Sequence, residues 1–247
     1  MKILLLHGWG YKNYKGQENA NERNPWRNKA KFIDQLTELG YELLIPSFPG
    51  FIGSQDTPIK PWGEKEYVLF CENIVRKEQP DAILGNSFGG AVAVMWKKEK
   101  KKKNDIKIIL VSPALERGYA KKSISSRITT ILPNFLLNFL RDIYLCYVIK
   151  NPYYKFGNNF LKKTYLNIVK IKCGKYLEKI KPDQTLIIFG ENDTATPPSI
   201  IQSMFKNNIE ISERIKIIKG GDHDIVNTHT EELIGFIKTY LDETQNK

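Results

Sequence analysis

The 247-residue sequence contains only three cysteines and three histidines. Cys71, Cys146 and Cys173 are too few and too widely spaced for a disulfide framework or a cysteine metal site, which is typical of a reducing compartment. No uninterrupted run of about 18 apolar residues occurs, so we expect no membrane span. The N-terminal apolar stretch ends at His7, before it reaches the length of a signal-peptide core. We therefore expect a cytoplasmic protein.

The sequence has fewer acidic than basic residues: 27 Asp and Glu against 38 Lys and Arg, which gives a net charge of +11. Hydrophobic residues make up 41% of the chain, which excludes a disordered or collagen-like protein. Six basic residues lie in the run 97–103. This run is either the solvated C-terminal end of a helix or a patch for nucleic acid or anionic membrane. Because no interleaved aromatic residues accompany it, we favour the helix end and expect no nucleic-acid partner.

Short apolar segments alternate with helical patterns along most of the chain, which predicts an α/β fold with a mostly parallel sheet of about six strands flanked by helices. The candidate strands are rich in Ile and Leu and apolar on both faces, as buried parallel strands are. They are 2–6, 41–45, 82–84, 106–111, 185–189 and 214–218. The helical patterns cover 28–39, 64–77, 88–98, 199–206 and 231–241. In such a sheet, sites lie at the carboxyl ends of the strands.

The stretch 117–180 breaks this alternation, because it holds no convincing strand and has apolar residues at helical spacing. It is too long for a plain loop. We interpret it as a helical cap or lid inserted into a core formed by 1–116 and 181–247. An interfacial membrane helix is the alternative, although polar residues such as Asn138 and Asp142 interrupt the apolar run.

The motif Gly85-Asn86-Ser87-Phe88-Gly89 lies directly between a candidate strand and a candidate helix. In this setting the serine occupies a sharp, strained turn, and the small flanking residues let strand and helix approach each other. The helix N-terminus also stabilises negative charge beside the serine. We therefore interpret Ser87 as a candidate nucleophile; a glycine-rich turn without chemistry is the alternative.

A serine hydroxyl needs an adjacent base, and that base needs an orienting acid. Of the three histidines, only His223 follows a candidate strand in a loop from which its ring could reach Ser87. For the acid we choose Asp193, just after the candidate strand at 185–189. Glu116 is the reserve candidate and Glu191 a weaker one.

Acyl transfer also needs two N–H donors aimed at the developing oxyanion. One should be the backbone N–H of Phe88, the residue after the candidate nucleophile. The other should be the backbone N–H of Trp9, since Gly8 lets the preceding loop turn inward. An ordinary turn is the alternative for this loop, in which we interpret His7 as an organiser rather than a base.

Together these motifs resemble the α/β-hydrolase superfamily over nearly the whole chain. Further segments that carry the resemblance are Pro46-Ser47-Phe48-Pro49-Gly50, Val111-Ser112-Pro113-Ala114, Gly190-Glu191-Asn192-Asp193 and Gly220-Gly221-Asp222-His223. The sequence is similar to the smaller, cofactor-independent branch with carboxylesterases, carbon–carbon bond hydrolases and prolyl aminopeptidase-like enzymes. The resemblance implies a triad of Ser87, Asp193 and His223, in the family's chain order, a helical cap, and no metal or other cofactor.

The predicted reaction is hydrolysis of a carboxylic ester, or a related acyl bond, in a small-molecule substrate through an acyl-enzyme. The apolar cap suggests an apolar acyl or alcohol portion, with Phe135, Leu136, Phe139 and Tyr144 as candidate pocket residues. Alternatively, these four side chains only join the cap to the core. The alternative functions are a non-catalytic small-molecule binder and an amide, thioester or carbon–carbon hydrolase. The oligomeric state stays open.

Overall fold

A single parallel sheet organises the protein. The computed structural model describes residues 1–16, 24–55, 57–99, 105–116 and 140–243. Within these ranges, the strands of the sheet are β1 Lys2–Leu6, β2 Glu42–Leu44, β3 Ala82–Asn86, β4 Lys107–Val111, β5 Thr185–Gly190 and β6 Ile215–Ile218. They pair in the order β2-β1-β3-β4-β5-β6, and every pair is parallel. The predicted fold class is confirmed, and all six predicted strands are present.

The end of β3 is the largest departure from the predicted strand ends. β3 continues to Asn86, two residues past its predicted end, because Gly85 and Asn86 pair with Leu110 and Val111 of β4. The extension brings the strand directly up to Ser87. The local sequence pattern did not predict this extension, because glycine and asparagine are poor strand formers. Gly85 and Asn86 are in the strand here because they pair with β4.

Helices cover both faces of the sheet and give two apolar cores. The helices are α1 Ala30–Glu38, α2 Glu64–Glu78, α3 Phe88–Glu99, α4 Pro152–Lys155, α5 Asn159–Ile168, α6 Pro198–Met204, α7 Ile209–Glu213, α8 Ile225–Thr228 and α9 Thr230–Glu243. On one face, β-strand side chains pack with helices α1, α8 and α9; on the other they pack with α2, α3 and residues from 140–180. Helix α3 is buried along most of its length, since it crosses the sheet centre beneath the 140–180 segment.

The described second part of the predicted cap, residues 140–180, contains helical turns and no strand. Phe160 and Leu161 of α5 are buried in the same apolar core as Val92 of α3. The first part, 117–139, which includes the candidate pocket residues Phe135, Leu136 and Phe139, lies outside the described residues. No helix in the described ranges is both long enough and apolar enough to cross a membrane.

The start of the lysine run is not a freely solvated helix end. Lys97 is only 4% exposed, and its ammonium group donates a hydrogen bond to the carbonyl oxygen of Ile106 at 2.6 Å. Burial lowers the pKa of Lys97 to about 8. Lys98 pairs with Glu64 at 2.5 Å. These two cations are therefore engaged in tertiary structure, which sequence pattern could not show; residues 100–103 lie outside the described ranges.

Candidate active site

Ser87 occupies the turn between β3 and α3 with a left-handed backbone. Its φ is +51°, a region that non-glycine residues rarely adopt. Two hydrogen bonds to neighbouring segments hold this conformation: the Ser87 N–H donates to the carbonyl of Val111 at 2.9 Å, and the Ala114 N–H donates to the carbonyl of Ser87 at 2.9 Å. Strained backbone of this kind persists only where surrounding structure enforces it, and it clusters at functional sites.

The flanking glycines are required by the close approach of the backbone at this turn. A Cβ added to Gly85 would lie 2.5 Å from the backbone of Gly89, and one added to Gly89 would lie 2.0 Å from the carbonyl oxygen of Leu6. Real Cβ atoms do not tolerate such distances. The spacing of the motif therefore lets α3 begin directly against the ends of β1 and β3.

The structure brings Ser87, His223 and Asp193 into one hydrogen-bonded series. Nε2 of His223 lies 3.1 Å from Oγ of Ser87, and Nδ1 of His223 lies 2.8 Å from Oδ2 of Asp193. The Asp193 side chain is fully buried, whereas the His223 side chain is 37% exposed. One ring nitrogen thus faces the hydroxyl while the other faces a carboxylate shielded from water.

The loops after β5 and β6 are held together by backbone contacts. The Asn192 N–H donates to the carbonyl of Gly221 at 2.7 Å, and a Cβ on Gly190 would lie 2.3 Å from the carbonyl oxygen of Asp222. Because Gly190 lacks that Cβ, the two loops touch. This contact places His223 beside Asp193, although the two residues lie 30 positions apart in the chain.

The Asp193 carboxylate is fixed by donors from its own loop. Its Oδ1 accepts hydrogen bonds from the backbone N–H groups of Ala195 and Thr196, and its Oδ2 accepts one from the Thr196 hydroxyl at 2.7 Å. Burial alone raises the pKa of a carboxyl group, but the bonds from His223 and Thr196 outweigh it and lower the pKa of Asp193 below its usual value. Asp193 is therefore held ionised.

The two reserve acids are engaged elsewhere. Glu191 accepts a hydrogen bond from the Gly220 N–H at 2.9 Å, and Glu116 accepts one from the Gly174 N–H at 3.3 Å. Of the three acids considered, Asp193 is the one in contact with His223.

His7 organises the loop that carries Trp9. Its Nδ1–H donates to the carbonyl of Gly8 at 2.8 Å, and its Nε2 accepts from the Phe48 N–H at 2.9 Å. Only a neutral imidazole can make both bonds. Burial lowers the pKa of His7 to about 4, although the bond to Gly8 opposes this shift, so the ring is neutral at pH 7.

The bond from His7 also sets the direction of the Trp9 N–H. The carbonyl of Gly8 and the N–H of Trp9 belong to one peptide unit, and in a trans peptide they point in opposite directions. Since the carbonyl faces His7, the N–H faces away from it. Gly8 itself lies against the candidate nucleophile, because a Cβ added there would be 3.3 Å from Cβ of Ser87. In the described part of the chain, the backbone N–H groups of Trp9 and Phe88 have no acceptor.

A cavity of about 560 Å³ opens onto Ser87 and His223. Its aromatic wall includes Trp9, Tyr153 and Tyr165. Tyr144, by contrast, is 52% exposed and is not among the lining residues. The described wall thus has Tyr153 and Tyr165 where sequence analysis expected Tyr144. Among the described residues, no cluster of three or more His, Cys, Asp or Glu side chains could hold a metal ion.

A family model described as "Alpha/beta hydrolase family" matches residues 3–235 of the sequence. The chain belongs to the alpha/beta hydrolase family. No curated protein sequence matches the chain.

Several solved alpha/beta structures are similar over nearly the whole chain at low identity. A bromoperoxidase from Bacillus anthracis is 19% identical, with a TM-score of 0.63 and coverage of 98% of this chain and 91% of that one. A carboxylesterase structure from Nitrososphaera gargenis is 13% identical, with a TM-score of 0.62 and the same coverages. A meta-cleavage product hydrolase from Pseudomonas fluorescens is 16% identical, with a TM-score of 0.60 and again those coverages. At such identities these structures show the shared fold.

Within this alpha/beta hydrolase, sequence reasoning missed Thr196 and the wall tyrosines. Thr196 follows Asp193 by three residues, and an Asp whose side chain accepts from backbone N–H groups two and three residues on is a recognisable local turn. That signal could have singled out Thr196. Tyr153 and Tyr165 carry no comparable local signal, because their place in the wall depends on how 140–180 packs.

Proposed function

We propose that this alpha/beta hydrolase is a serine hydrolase that cleaves a carboxylic ester through an acyl-enzyme intermediate. The observation that carries the proposal is the series Ser87–His223–Asp193, with distances of 3.1 Å and 2.8 Å, at the floor of an open cavity. A nucleophile, a base and an orienting acid in hydrogen-bond reach are the requirements for acyl transfer to and from a serine.

In the first half-reaction, Oγ of Ser87 attacks the ester carbonyl carbon while Nε2 of His223 takes the hydroxyl proton. Asp193 accepts from Nδ1–H of the same ring, which keeps Nε2 unprotonated and aimed at the serine, and it stabilises the imidazolium that forms. His223 then returns the proton to the leaving alcohol. The carbonyl group re-forms, and the acyl group is now bound to Oγ of Ser87 as the acyl-enzyme.

The carbonyl oxygen carries negative charge in the tetrahedral intermediate. The backbone N–H groups of Trp9 and Phe88 are the donors we assign to it, since both line the cavity beside Ser87 and neither has an acceptor in the described structure. Phe88 also opens α3, whose N-terminal dipole favours an anion there. Preorganised donors of this type are each worth about a hundredfold or more in rate.

In the second half-reaction a water molecule replaces the alcohol. The water attacks the acyl carbonyl carbon while His223 removes a proton from it. His223 then gives this proton to Oγ of Ser87 as the bond between Ser87 and the acyl group breaks. The 37% exposure of the His223 side chain is compatible with access of this water. The cycle consumes one water per ester and returns the enzyme unchanged.

We also assign residues 117–180 to a cap over the core, because Tyr153 and Tyr165 from this stretch form part of the cavity wall. Their rings stack with centroids 5.7 Å apart. An aromatic wall beside the nucleophile favours esters with an apolar acyl or alcohol group. The cavity of about 560 Å³ suits a compact small-molecule ester.

The test uses p-nitrophenyl acetate and butyrate with the whole chain, together with a fluorophosphonate probe that reacts with activated serines. We expect ester turnover and one labelled site, both abolished in Ser87→Ala. The matched control is Ser112→Ala, since Ser112 also has a positive φ, of 44°, but is fully buried away from solvent. Neither turnover nor labelling of the wild-type protein would contradict the proposal and favour a non-catalytic binder.

A further inference from the structure

A buried tyrosine hydroxyl links the loop of Trp9 to the 140–180 segment. The Tyr14 side chain is fully buried. Its hydroxyl accepts a hydrogen bond from Nε1–H of Trp9 at 2.6 Å and donates one to the carbonyl oxygen of Tyr153 at 2.8 Å. Trp9 lies in the loop after β1, whereas Tyr153 lies in helix α4.

The direction of both bonds follows from the chemistry of the groups. An indole N–H can only donate, so the hydroxyl must accept from Trp9. Its own proton is then available for the carbonyl of Tyr153, which can only accept. Burial raises the pKa of Tyr14 far above its usual value, so the hydroxyl keeps that proton. One hydroxyl therefore forms a hydrogen bond with each of two groups, the Trp9 indole N–H and the Tyr153 carbonyl.

Trp9 is held from both sides. On the backbone side, His7 fixes the carbonyl of Gly8 and so the peptide that carries the Trp9 N–H. On the side-chain side, the indole packs edge-on against Phe88 with centroids 5.5 Å apart, and its N–H is held by Tyr14. Because the indole is attached to the same Cα as the backbone nitrogen, contacts that fix the indole restrict where the Trp9 backbone can lie.

Tyr14 is itself firmly anchored. Its backbone forms an antiparallel bridge with Phe51, and the Lys15 N–H donates to the carbonyl of Gly50 at 2.9 Å. The Tyr14 ring also packs against Phe51 with centroids 5.2 Å apart. The hydroxyl is therefore a fixed point from which the Trp9 loop and the cavity wall at Tyr153 are positioned.

We propose that Tyr14 is a positioning residue: its hydroxyl places the Trp9 loop for oxyanion binding and ties it to the wall formed by Tyr153. This rests on the proposed function, in which the Trp9 N–H binds the oxyanion. Because that charge exists only in the transition state and intermediate, a misplaced donor should lower kcat and leave KM nearly unchanged.

The test compares Tyr14→Phe with Tyr67→Phe on p-nitrophenyl butyrate. Tyr67 is the matched control, because it is also fully buried and its hydroxyl has no hydrogen-bond partner among the described residues. We expect kcat of Tyr14→Phe to fall about tenfold, less than the hundredfold or more of a deleted donor, with KM within twofold of wild type. Tyr67→Phe should keep both constants.

A second variant tests whether Tyr14 acts through the indole of Trp9, and it keeps the proposal testable if Tyr14→Phe fails to fold. Trp9→Phe removes the indole N–H but retains the backbone N–H, so its kcat should also fall. Because Trp9 lines the cavity, the smaller ring also changes the binding wall, and only kcat is compared for this variant. The double variant should lose less kcat than the product of the two single losses, because both single variants remove the hydrogen bond between Trp9 and Tyr14. Additive losses, or a Tyr14→Phe enzyme with wild-type kcat, would overturn the inference.

Failure of this inference is distinguishable from failure of the proposed function. If Ser87→Ala abolishes turnover while Tyr14→Phe is as active as wild type, the serine mechanism stands and the role of Tyr14 is refuted. If Ser87→Ala retains turnover, the mechanism itself is refuted, and with it the reason for a kcat effect at Tyr14.

Discussion

The Thr196 hydroxyl lies 2.7 Å from Oδ2 of Asp193, the same oxygen that contacts Nδ1 of His223 at 2.8 Å. The Thr196 backbone N–H also donates to Oδ1, so this residue contacts both oxygens of the carboxylate. These two contacts restrict rotation of the carboxylate that faces His223. We therefore expect the orientation of the His223 imidazole to depend on Thr196 as well as on Asp193.

Thr196→Val tests that dependence, because valine has nearly the same shape and keeps the backbone N–H. A hydrogen bond to a charged group is worth about 1.5–3 kcal/mol, so we expect kcat/KM to fall by on the order of tenfold. The measurement is steady-state hydrolysis of p-nitrophenyl butyrate. Thr194→Val is the matched control, since Thr194 is exposed in the same loop, and an equal loss there would contradict the assignment.

Asp193→Asn tests which acid orients His223. An amide cannot stabilise the imidazolium, so we expect kcat to fall by about 10³–10⁴ while the fold is retained. Glu116→Gln and Glu191→Gln should stay within about threefold of wild type, because their carboxylates contact the backbone N–H groups of Gly174 and Gly220 instead. A large loss in either variant with an active Asp193→Asn enzyme would reassign the acid.

The buried neutral His7 predicts a loss of stability in mild acid. Its folded pKa of about 4 is below its usual value of 6.5, so the unfolded chain binds more protons between these values and stability falls as pH drops through this window. His7 alone should lower the free energy of unfolding by about 2 kcal/mol between about pH 7.5 and pH 5.

Urea unfolding of wild type and His7→Gln at the two pH values measures this contribution. Glutamine can still offer one donor and one acceptor but does not titrate, so the variant should lose less stability on acidification than wild type. His229→Gln controls for removing any histidine. If the two variants have the same pH dependence, the contribution does not come from His7.

Gly89→Ala should strongly destabilise the protein, because the new Cβ would lie 2.0 Å from the carbonyl oxygen of Leu6. We expect a loss of about 3 kcal/mol or more in the free energy of unfolding. Gly235→Ala is the matched control on helix α9, where an added Cβ meets nothing within 4 Å. It should gain about 0.5–1 kcal/mol, since alanine favours helix. Thermal and urea unfolding compare the two.

The sheet and the turn at Ser87 follow from local sequence. Apolar runs of strand length alternate with helical patterns, and this periodicity depends on neighbours within a few residues. Gly85 and Gly89 around Ser87 are equally local, because a strand-to-helix turn of this sharpness requires small residues at those positions. Asp193 and His223 could be selected because each follows a strand whose carboxyl end meets the same edge of the sheet.

Tertiary structure alone decided the cavity wall, the burial of Lys97 and the bond between Tyr14 and Tyr153. Tyr14 and Tyr153 are 139 residues apart, and no local pattern signals that their groups meet. Tyr153 and Tyr165 line the cavity, rather than Tyr144, because of how the 140–180 segment packs on the core. Periodicity specifies which face of an element is buried; which side chains meet there depends on the packing of all elements together.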